Sequence, residues 1–106
     1  WDGQKYTDPK KAIGYLNNAI KLQPDYAQAY YNRGNAYYSL GLFQRAIKDY
    51  NETIRLKPKD IDAYYNRANA YFYLGNNKLG CLDAEKACEL GDCKLLEVAK
   101  GKRTCR

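Results

Sequence analysis

The feature that most constrains the fold is a stretch of twelve residues that occurs almost unchanged a second time. The chain reads YYNRGNAYYSLG from Tyr30 and YYNRANAYFYLG from Tyr64, 34 positions later. Aligned at this offset, residues 27–58 and 61–92 are identical at twelve positions, and the residues before Pro24 match the second half of the same unit. Self-similarity at a fixed period of about 20–50 residues is typical of repeat architectures. The sequence therefore predicts two full units and the second half of an earlier one.

Each unit reads as two helices joined by a turn. In the first half, small and apolar residues recur three and four positions apart, which places them on one face of a helix. Gly41 and Gly75 follow these runs, and glycine readily adopts the left-handed conformation that ends a helix. The expected core positions are Ala29, Tyr30, Ala36, Tyr37 and Leu40, with Ala63, Tyr64, Ala70, Tyr71 and Leu74 in the second unit.

Helix starts are marked by candidate N-cap residues. Asp8 directly precedes Pro9, and proline is favoured at the first helical position, so we expect a helix from Pro9 to about Leu22. Asp25 and Asp60 are the candidates for the first helices of the two full units. Their side-chain oxygens would accept hydrogen bonds from backbone amides that lack a helical partner.

The pattern resembles the tetratricopeptide repeat (TPR) family, whose unit is a 34-residue helix–turn–helix. The resemblance covers about Pro9 to Asp92, and Asp92 stands where the family has a closing proline. The first helix of the leading repeat is missing. The matching positions are the aromatics Tyr30 and Tyr64, the small residues Gly34 and Ala68, the second aromatics Tyr37 and Tyr71, the turn glycines Gly41 and Gly75, and the prolines Pro24 and Pro58.

The resemblance implies an all-α, helix–turn–helix TPR solenoid of about two and a half repeats with a short C-terminal capping helix. A repeat array needs such a terminal element to cover its last apolar face. We expect the closing helix over about 94–100. The expected organisation is a single TPR domain over 1–106, with 9–26 as the second half of a leading repeat, 27–60 and 61–92 as full repeats, and 93–106 as capping helix and basic tail.

A stripe of tyrosine and asparagine lies beside the expected core face of each first helix. In TPR proteins the corresponding side of the first helices lines a concave ligand groove, so the resemblance implies that this stripe binds a partner. Asparagine offers a donor and an acceptor to a peptide backbone, and tyrosine adds apolar area with little entropy loss. Alternatively, the asparagines merely satisfy neighbouring groups or face water. The candidate groove residues are Tyr31, Asn32, Asn35, Tyr38, Tyr65, Asn66, Asn69, Phe72 and Tyr73.

Two arginines in the repeated stretch have two interpretations. Arg33 and Arg67 could bind an anion, but each is followed sixteen residues later by an acid, Asp49 and Asp83. Repetition of both members favours a structural Arg–carboxylate bridge between the helices of each hairpin. TPR domains that hold chaperone C-terminal carboxylates need a lysine where this chain has tyrosine at Tyr31 and its counterpart, so that function is disfavoured.

The four cysteines all lie in the last quarter of the chain. Their spacing, C-x6-C-x4-C-x11-C, contains no C-x-x-C pair and gives little support to a zinc site. Cys81 and Cys88 are about 10 Å apart along one predicted helix, too far to be linked. If the closing helix runs antiparallel to the preceding one, Cys81–Cys105 with Cys88–Cys93 is preferred. Reduced, partly buried thiols are the alternative, and the compartment stays open: cytoplasmic if reduced, periplasmic or otherwise exported if disulfide-bonded.

Charge and composition exclude several classes of function. Residues 93–106 carry five basic residues and one acid, so much of the excess positive charge lies in the tail. The chain contains no histidine, no phosphate-binding glycine loop and no recognisable nucleophile–base pair. We therefore expect no enzyme activity, cofactor or metal. No apolar run approaches the about 20 residues of a membrane span. Since the chain has no methionine, residues preceding Trp1 are expected.

The leading functional hypothesis is a protein–protein interaction module that binds an extended peptide or a helix of a partner in the Tyr/Asn groove. An alternative is binding of single-stranded nucleic acid, with bases stacked on the tyrosines and phosphates held by the tail. The scarcity of lysine and arginine in the groove argues against this alternative. The third hypothesis is a scaffold that associates with itself through the N-terminal end. There, the helix with Ile13, Leu16 and Ile20 is expected to expose an apolar face.

Overall fold

Residues 8–106 form six helices joined by short turns, and each helix packs on the next. The computed structural model describes residues 8–106, so the expectation about what precedes Trp1 lies outside the described residues. The array measures 42 × 24 × 22 Å, and the all-α helix–turn–helix solenoid is confirmed. The helices are α1 Pro9–Leu22, α2 Ala27–Ser39, α3 Phe43–Leu56, α4 Ile61–Tyr73, α5 Asn77–Glu89 and α6 Lys94–Gly101.

Two of the three predicted N-caps are present. Asp8 accepts hydrogen bonds from the backbone amides of Lys10 and Lys11, and Asp60 accepts one from Ala63 at 3.2 Å. Asp25 is wrong, because the N-cap of α2 is Tyr26, which forms no side-chain cap bond. Asp60 lies 34 positions after Tyr26, so the acid in the first unit stands one position too early to cap.

The turn inside each hairpin depends on a glycine. Gly41 and Gly75 have φ angles of 74° and 80°, a left-handed conformation that costs glycine little. Beyond Gly41, the backbone amide of Leu42 returns to the carbonyl of Tyr37 at 2.9 Å, which closes the end of α2. The predicted helix ends are therefore confirmed.

The contact between the two helices of each hairpin is filled by a different combination of large and small residues. A Cβ added to Gly34 would lie 2.8 Å from Tyr50, whereas the second hairpin has alanine at both equivalent positions, Ala68 and Ala84. Close packing requires such compensation, because an interior tolerates neither overlap nor void. A Cβ on Gly80 would likewise lie 2.5 Å from the ring of Phe72.

The core is built mainly from alanine, with Tyr50 as its largest fully buried side chain. Of the predicted core tyrosines, Tyr64 is buried, but Tyr30, Tyr37 and Tyr71 are only half-buried. The hydroxyl of Tyr30 donates to the carbonyl of Pro24 at 3.0 Å, and Tyr64 repeats this contact with Pro58. These rings therefore reach from the core to the preceding turn. The fully buried alanines are Ala12, Ala36, Ala46, Ala63, Ala68, Ala70, Ala84 and Ala87.

The expected exposed apolar face of α1 is wrong. Leu16 is buried, and Ile13 and Ile20 pack against the cluster that α1 shares with α2. The apolar side chains that α1 does expose are Tyr15 and Leu22. No observation on this helix supports self-association through the N-terminal end.

The C-terminal end is closed by α6 and two disulfide bonds. Cys81 is linked to Cys105, with α-carbons 5.6 Å apart, and Cys88 is linked to Cys93. This is the nested pairing favoured by an antiparallel closing helix. No helix within residues 8–106 combines the length and apolar character required to cross a bilayer. The same range contains no group of three potential metal-ligating side chains.

Candidate functional site

The candidate site lies on the face that α2 and α4 share, called here the inner face and defined by the stripe from Tyr31 to Tyr38 and its counterpart from Tyr65 to Phe72. The helices α2 and α4 contact each other directly, although α3 separates them in the chain. Most of the candidate residues are half-buried, and Tyr73, which follows Phe72 at the end of α4, is 69% exposed.

The first half of the inner face is an internal hydrogen-bond network. Asn66 donates its side-chain amide to the hydroxyl of Tyr31 at 2.9 Å and to the side-chain oxygen of Asn35 at 3.0 Å. The same oxygen of Asn35 accepts from the hydroxyl of Tyr50 at 2.6 Å. Burial raises the pKa of Tyr31, and the hydrogen bond with Asn35 partly opposes that rise. Asn35 and Asn66 thus serve the contact between repeats.

Asn69 is the counterpart of Asn35, but its surroundings differ. The position of Tyr50 is taken by Ala84 in the second hairpin, and the residue 34 positions after Asn66 is the exposed Lys100. Among residues 8–106, no group forms a hydrogen bond with the Asn69 side chain. A fully buried amide without a partner would be costly. The amide of Asn69 is only half-buried, so it can form hydrogen bonds with water or with a ligand.

Asn69 lies at a cavity of about 360 Å³ between α4 and α6. Its floor is apolar, since Leu95 and Ala99 are 8% and 5% exposed and Phe72 packs against the same cluster. Val98 stands at the rim with half of its side chain exposed. The residues that line the cavity are Asn69, Phe72, Tyr73, Asn77, Leu95, Val98, Ala99, Lys102 and Thr104.

Aromatic rings join the cavity to the first hairpin. The ring of Tyr73 stacks on Phe43, with centroids 4.9 Å apart and planes within 2° of parallel. Tyr38 meets both rings edge-on, at 5.2 Å from Phe43 and 5.9 Å from Tyr73. Burial, with a further contribution from Tyr73, raises the pKa of Tyr38 to about 12. These three rings form a continuous wall that runs from α2 to the cavity.

Both arginines donate hydrogen bonds to an acid and an asparagine of their own chain. Arg33 donates two hydrogen bonds to the carboxylate of Asp49, at 2.7 and 2.8 Å, and a third to Asn17 on α1. The hydrogen bond with Asp49 raises the pKa of Arg33. Burial raises the pKa of Asp49, and the arginine opposes this rise. Three of the five N–H groups of Arg33 are held by Asp49 and Asn17, so the guanidinium acts as a clasp between three helices.

Arg67 repeats this arrangement one unit later. It donates two hydrogen bonds to Asp83 at 2.7 Å and one to Asn51 at 2.8 Å. Its guanidinium also lies over the rings of Tyr64 and Tyr71, at 5.6 and 6.0 Å. The sequence predicted the bridges to the two acids, but it did not predict the third hydrogen bond of each arginine, which is donated to an asparagine. Asn17 and Asn51 stand 34 positions apart, which is the signal that could have found them.

The remaining candidate residues are not all at the cavity. Asn32 accepts a hydrogen bond from Gln28 at 2.9 Å, and Tyr65 packs against the buried cluster of the second hairpin. Lys102 lies at the cavity but was not predicted. The 34-residue period could not have found it, because position 102 corresponds to the buried Ala68, whereas Lys102 is exposed.

Comparison with known proteins places these geometric features in a family. A family model described as TPR repeat matches residues 9–41 and 34–75, and one described as Tetratricopeptide repeat matches 61–90. No curated protein matches the chain. The Arabidopsis OM64 TPR domain is similar, with 31% identity, a TM-score of 0.85, and coverage of 96% of this chain and 84% of that one.

Two further solved structures are similar. The first TPR of Spaghetti (RPAP3), bound to the HSP90 peptide SRMEEVD, shares 25% identity at a TM-score of 0.82, over 96% of this chain and 83% of that one. MamA shares 29% identity at a TM-score of 0.80, over 84% of this chain. The chain spans about half the length of the MamA structures that it matches.

Paired helices that repeat every 34 residues, each packed on the next, define a helical-repeat solenoid protein. Within that class, the matches to the repeat models and to the OM64 domain are decisive. The chain belongs to the tetratricopeptide repeat family.

Proposed function

We propose that this domain is a protein–protein interaction module that binds an extended segment or a helix of a partner along the inner face. The observation that carries the proposal is the side chain of Asn69, which has no hydrogen-bond partner within residues 8–106 and lies at an open cavity. The complex of the Spaghetti TPR with a peptide supports the same class of ligand.

The chemistry of this position suits a polypeptide ligand. A side-chain amide can accept from the N–H and donate to the C=O of a partner backbone, whatever the partner's sequence. The apolar floor beneath Asn69 then supplies the burial from which most binding energy comes. Asn35 and Asn66 are committed to the repeat interface, so the open half of the inner face is the half beside α6.

Affinity selection tests the proposal. The wild-type domain is presented with a library of random twelve-residue peptides, and the peptides obtained are measured against Asn69→Ala. The matched control is Asn18→Ala on the exposed surface of α1. We expect the first substitution to weaken binding about tenfold, since a hydrogen bond is worth about 0.5–1.5 kcal/mol and its loss strands the partner group. The control should bind like the wild type.

Two outcomes contradict the proposal. A library that yields no binding peptide removes the function, and equal binding by Asn69→Ala and the wild type removes the assigned site. A single-stranded oligonucleotide titrated at two salt concentrations tests the nucleic-acid hypothesis, because phosphate contacts make affinity fall steeply with salt. Lys102 is the only cation among the described residues that line the cavity, so peptide binding should change less with salt than oligonucleotide binding.

A further inference from the structure

We propose that the cavity between α4 and α6 receives one bulky apolar side chain of the partner and that Lys102 pairs with an acidic residue beside it. The inference rests on the proposed function and narrows its ligand to a segment in which a large apolar residue stands next to aspartate or glutamate. A free carboxyl terminus is not required, because the cavity is open to solvent and can receive a side chain from within a longer segment.

The size and surface of the cavity favour a single large side chain. About 360 Å³ is near the lower end of the range of about 300–1,000 Å³ for small-molecule sites, which is enough for a leucine or phenylalanine with part of its backbone. Phe72, Leu95 and Ala99 supply the floor, and Val98 and Tyr73 supply the rim. A polar side chain placed against this floor would lose its water without gaining a partner.

The charge at the rim favours an acidic neighbour. Lys102 is the only charged residue among the described residues that line the cavity. It forms no ion pair within residues 8–106, in contrast to Lys86, which approaches Glu89. Arg103 follows directly in the chain, so the positive potential at this side of the cavity is not neutralised by the sequence around it. An opposite charge on the partner would both steer its approach and fix its register.

The backbone that carries Lys102 is held in place before any ligand binds. The amide of Lys102 donates to the carbonyl of Val98 at 3.0 Å, and the amides of Thr104 and Cys105 both donate to Ala99. Cys105 is buried and linked to Cys81 on α5. Preorganisation of this kind lowers the entropy that a ligand must overcome.

A positional peptide library provides the test. Random nine-residue peptides with amidated C-termini are selected on the full chain, and the selected sequences are compared for wild type, Lys102→Glu and Val98→Trp. Lys100→Glu is the matched control, because it makes the same charge change on the exposed side of α6. Thermal unfolding of each variant, measured without added oxidant or reductant, verifies that the variant is folded.

We expect wild type to enrich a large apolar residue within two positions of aspartate or glutamate. Lys102→Glu should bind these peptides about tenfold or more weakly, because the reversal removes the attraction to the acidic residue and adds a repulsion between like charges. It should also enrich lysine or arginine at the acidic position. Val98→Trp should lose the apolar preference by filling the cavity, and Lys100→Glu should select like the wild type.

The failures are distinguishable. If no variant and no wild-type sample selects any peptide, the proposed function itself fails. If the wild type selects peptides and Asn69→Ala reduces their binding, but Lys102→Glu and Val98→Trp select the same sequences as Lys100→Glu, the interaction module stands and this inference is overturned. Selection of apolar residues without an acidic neighbour overturns the role of Lys102.

Discussion

Asn66 on α4 donates its side-chain amide to the side-chain oxygen of Asn35 on α2 at 3.0 Å, and this bond connects the two repeats. The oxygen of Asn35 also accepts from Tyr50, which is fully buried. Asn69, the repeat counterpart of Asn35, has neither neighbour. One residue type at equivalent positions therefore joins the repeats in the first case and has no hydrogen-bond partner among residues 8–106 in the second.

Replacing these two asparagines should separate stability from binding. Asn35→Ala leaves the buried hydroxyl of Tyr50 without its acceptor, and we expect it to lower the free energy of unfolding by about 1–3 kcal/mol. Asn69→Ala removes no internal hydrogen bond and should stay within about 0.5 kcal/mol of the wild type. Urea unfolding followed by circular dichroism measures both. Equal losses in the two variants would mean that the network around Asn35 contributes nothing particular to stability.

Two glycines inside helices should respond in opposite directions to alanine. Gly80→Ala places a Cβ 2.5 Å from the ring of Phe72, and overpacking of this kind costs about 1–3 kcal/mol, more than the roughly 1 kcal/mol gained in helix propensity. Apart from the adjoining backbone of α1, no described residue has an atom within 4 Å of a Cβ added to Gly14, so Gly14→Ala should stabilise the domain. Thermal unfolding decides: a stabilised Gly80→Ala would show that Phe72 moves aside freely.

The bridge between Arg67 and Asp83 should matter far more than an exposed ion pair. Its side chains are only 19% and 8% exposed, and Asp83→Asn would leave the guanidinium without its carboxylate. We expect a loss of up to about 3–5 kcal/mol, the range for breaking a buried pair. The matched control is Glu52→Gln, which breaks the exposed pair with Arg55 and should cost about 1 kcal/mol or less. Similar losses in the two variants would contradict the role of the clasp.

The period of 34 residues was enough to predict the fold, because the small and apolar positions that pack the helices together recur in each repeat. The limits of α1 and the glycines that end α2 and α4 follow from local rules, since proline and glycine fix backbone angles. The prediction of Asp25 as a cap was wrong, because Asp25 stands one position before the residue that corresponds to the cap of the second repeat.

The division of labour within the inner face was harder to predict. Whether an asparagine is satisfied depends on residues 15 to 31 positions away, such as Tyr50 and Asn66 for Asn35. The tyrosine at one of these positions is replaced by Ala84 in the next unit, and only a three-dimensional arrangement shows what that replacement leaves open. Lys102 was missed for a similar reason, because its part of the chain departs from the repeat pattern.

The hydroxyl of Tyr38 predicts a loss of stability at alkaline pH. Burial and Tyr73 raise the pKa of Tyr38 to about 12, above the value of about 10 expected in the unfolded chain. The folded state therefore retains the proton longer, so this contribution is fully present below about pH 10 and is lost as the pH rises through about 12. Urea unfolding at pH 9 and pH 11 should show a smaller decrease for Tyr38→Phe than for the wild type. An identical decrease would mean that Tyr38 titrates alike in both states.

The two disulfide bonds should differ in what they stabilise. Cys81–Cys105 closes a loop of sequence separation 24 and Cys88–Cys93 one of 5, so chain entropy alone predicts losses of about 3 and about 2 kcal/mol when each pair is changed to alanine. Only the first bond ties the segment with Lys102 and Thr104 to α5.

Peptide binding should therefore distinguish the two bonds more sharply than stability does. With Cys81 and Cys105 both changed to alanine, we expect peptides that use the cavity to bind more weakly, because Lys102 and Thr104 are less firmly held before binding. The variant with Cys88 and Cys93 changed to alanine is the control and should keep its affinity at a temperature where both variants are folded. If affinity is unchanged in the first variant, the hydrogen bonds from Thr104 and Cys105 to Ala99 suffice to hold the cavity wall, and the disulfide serves stability alone.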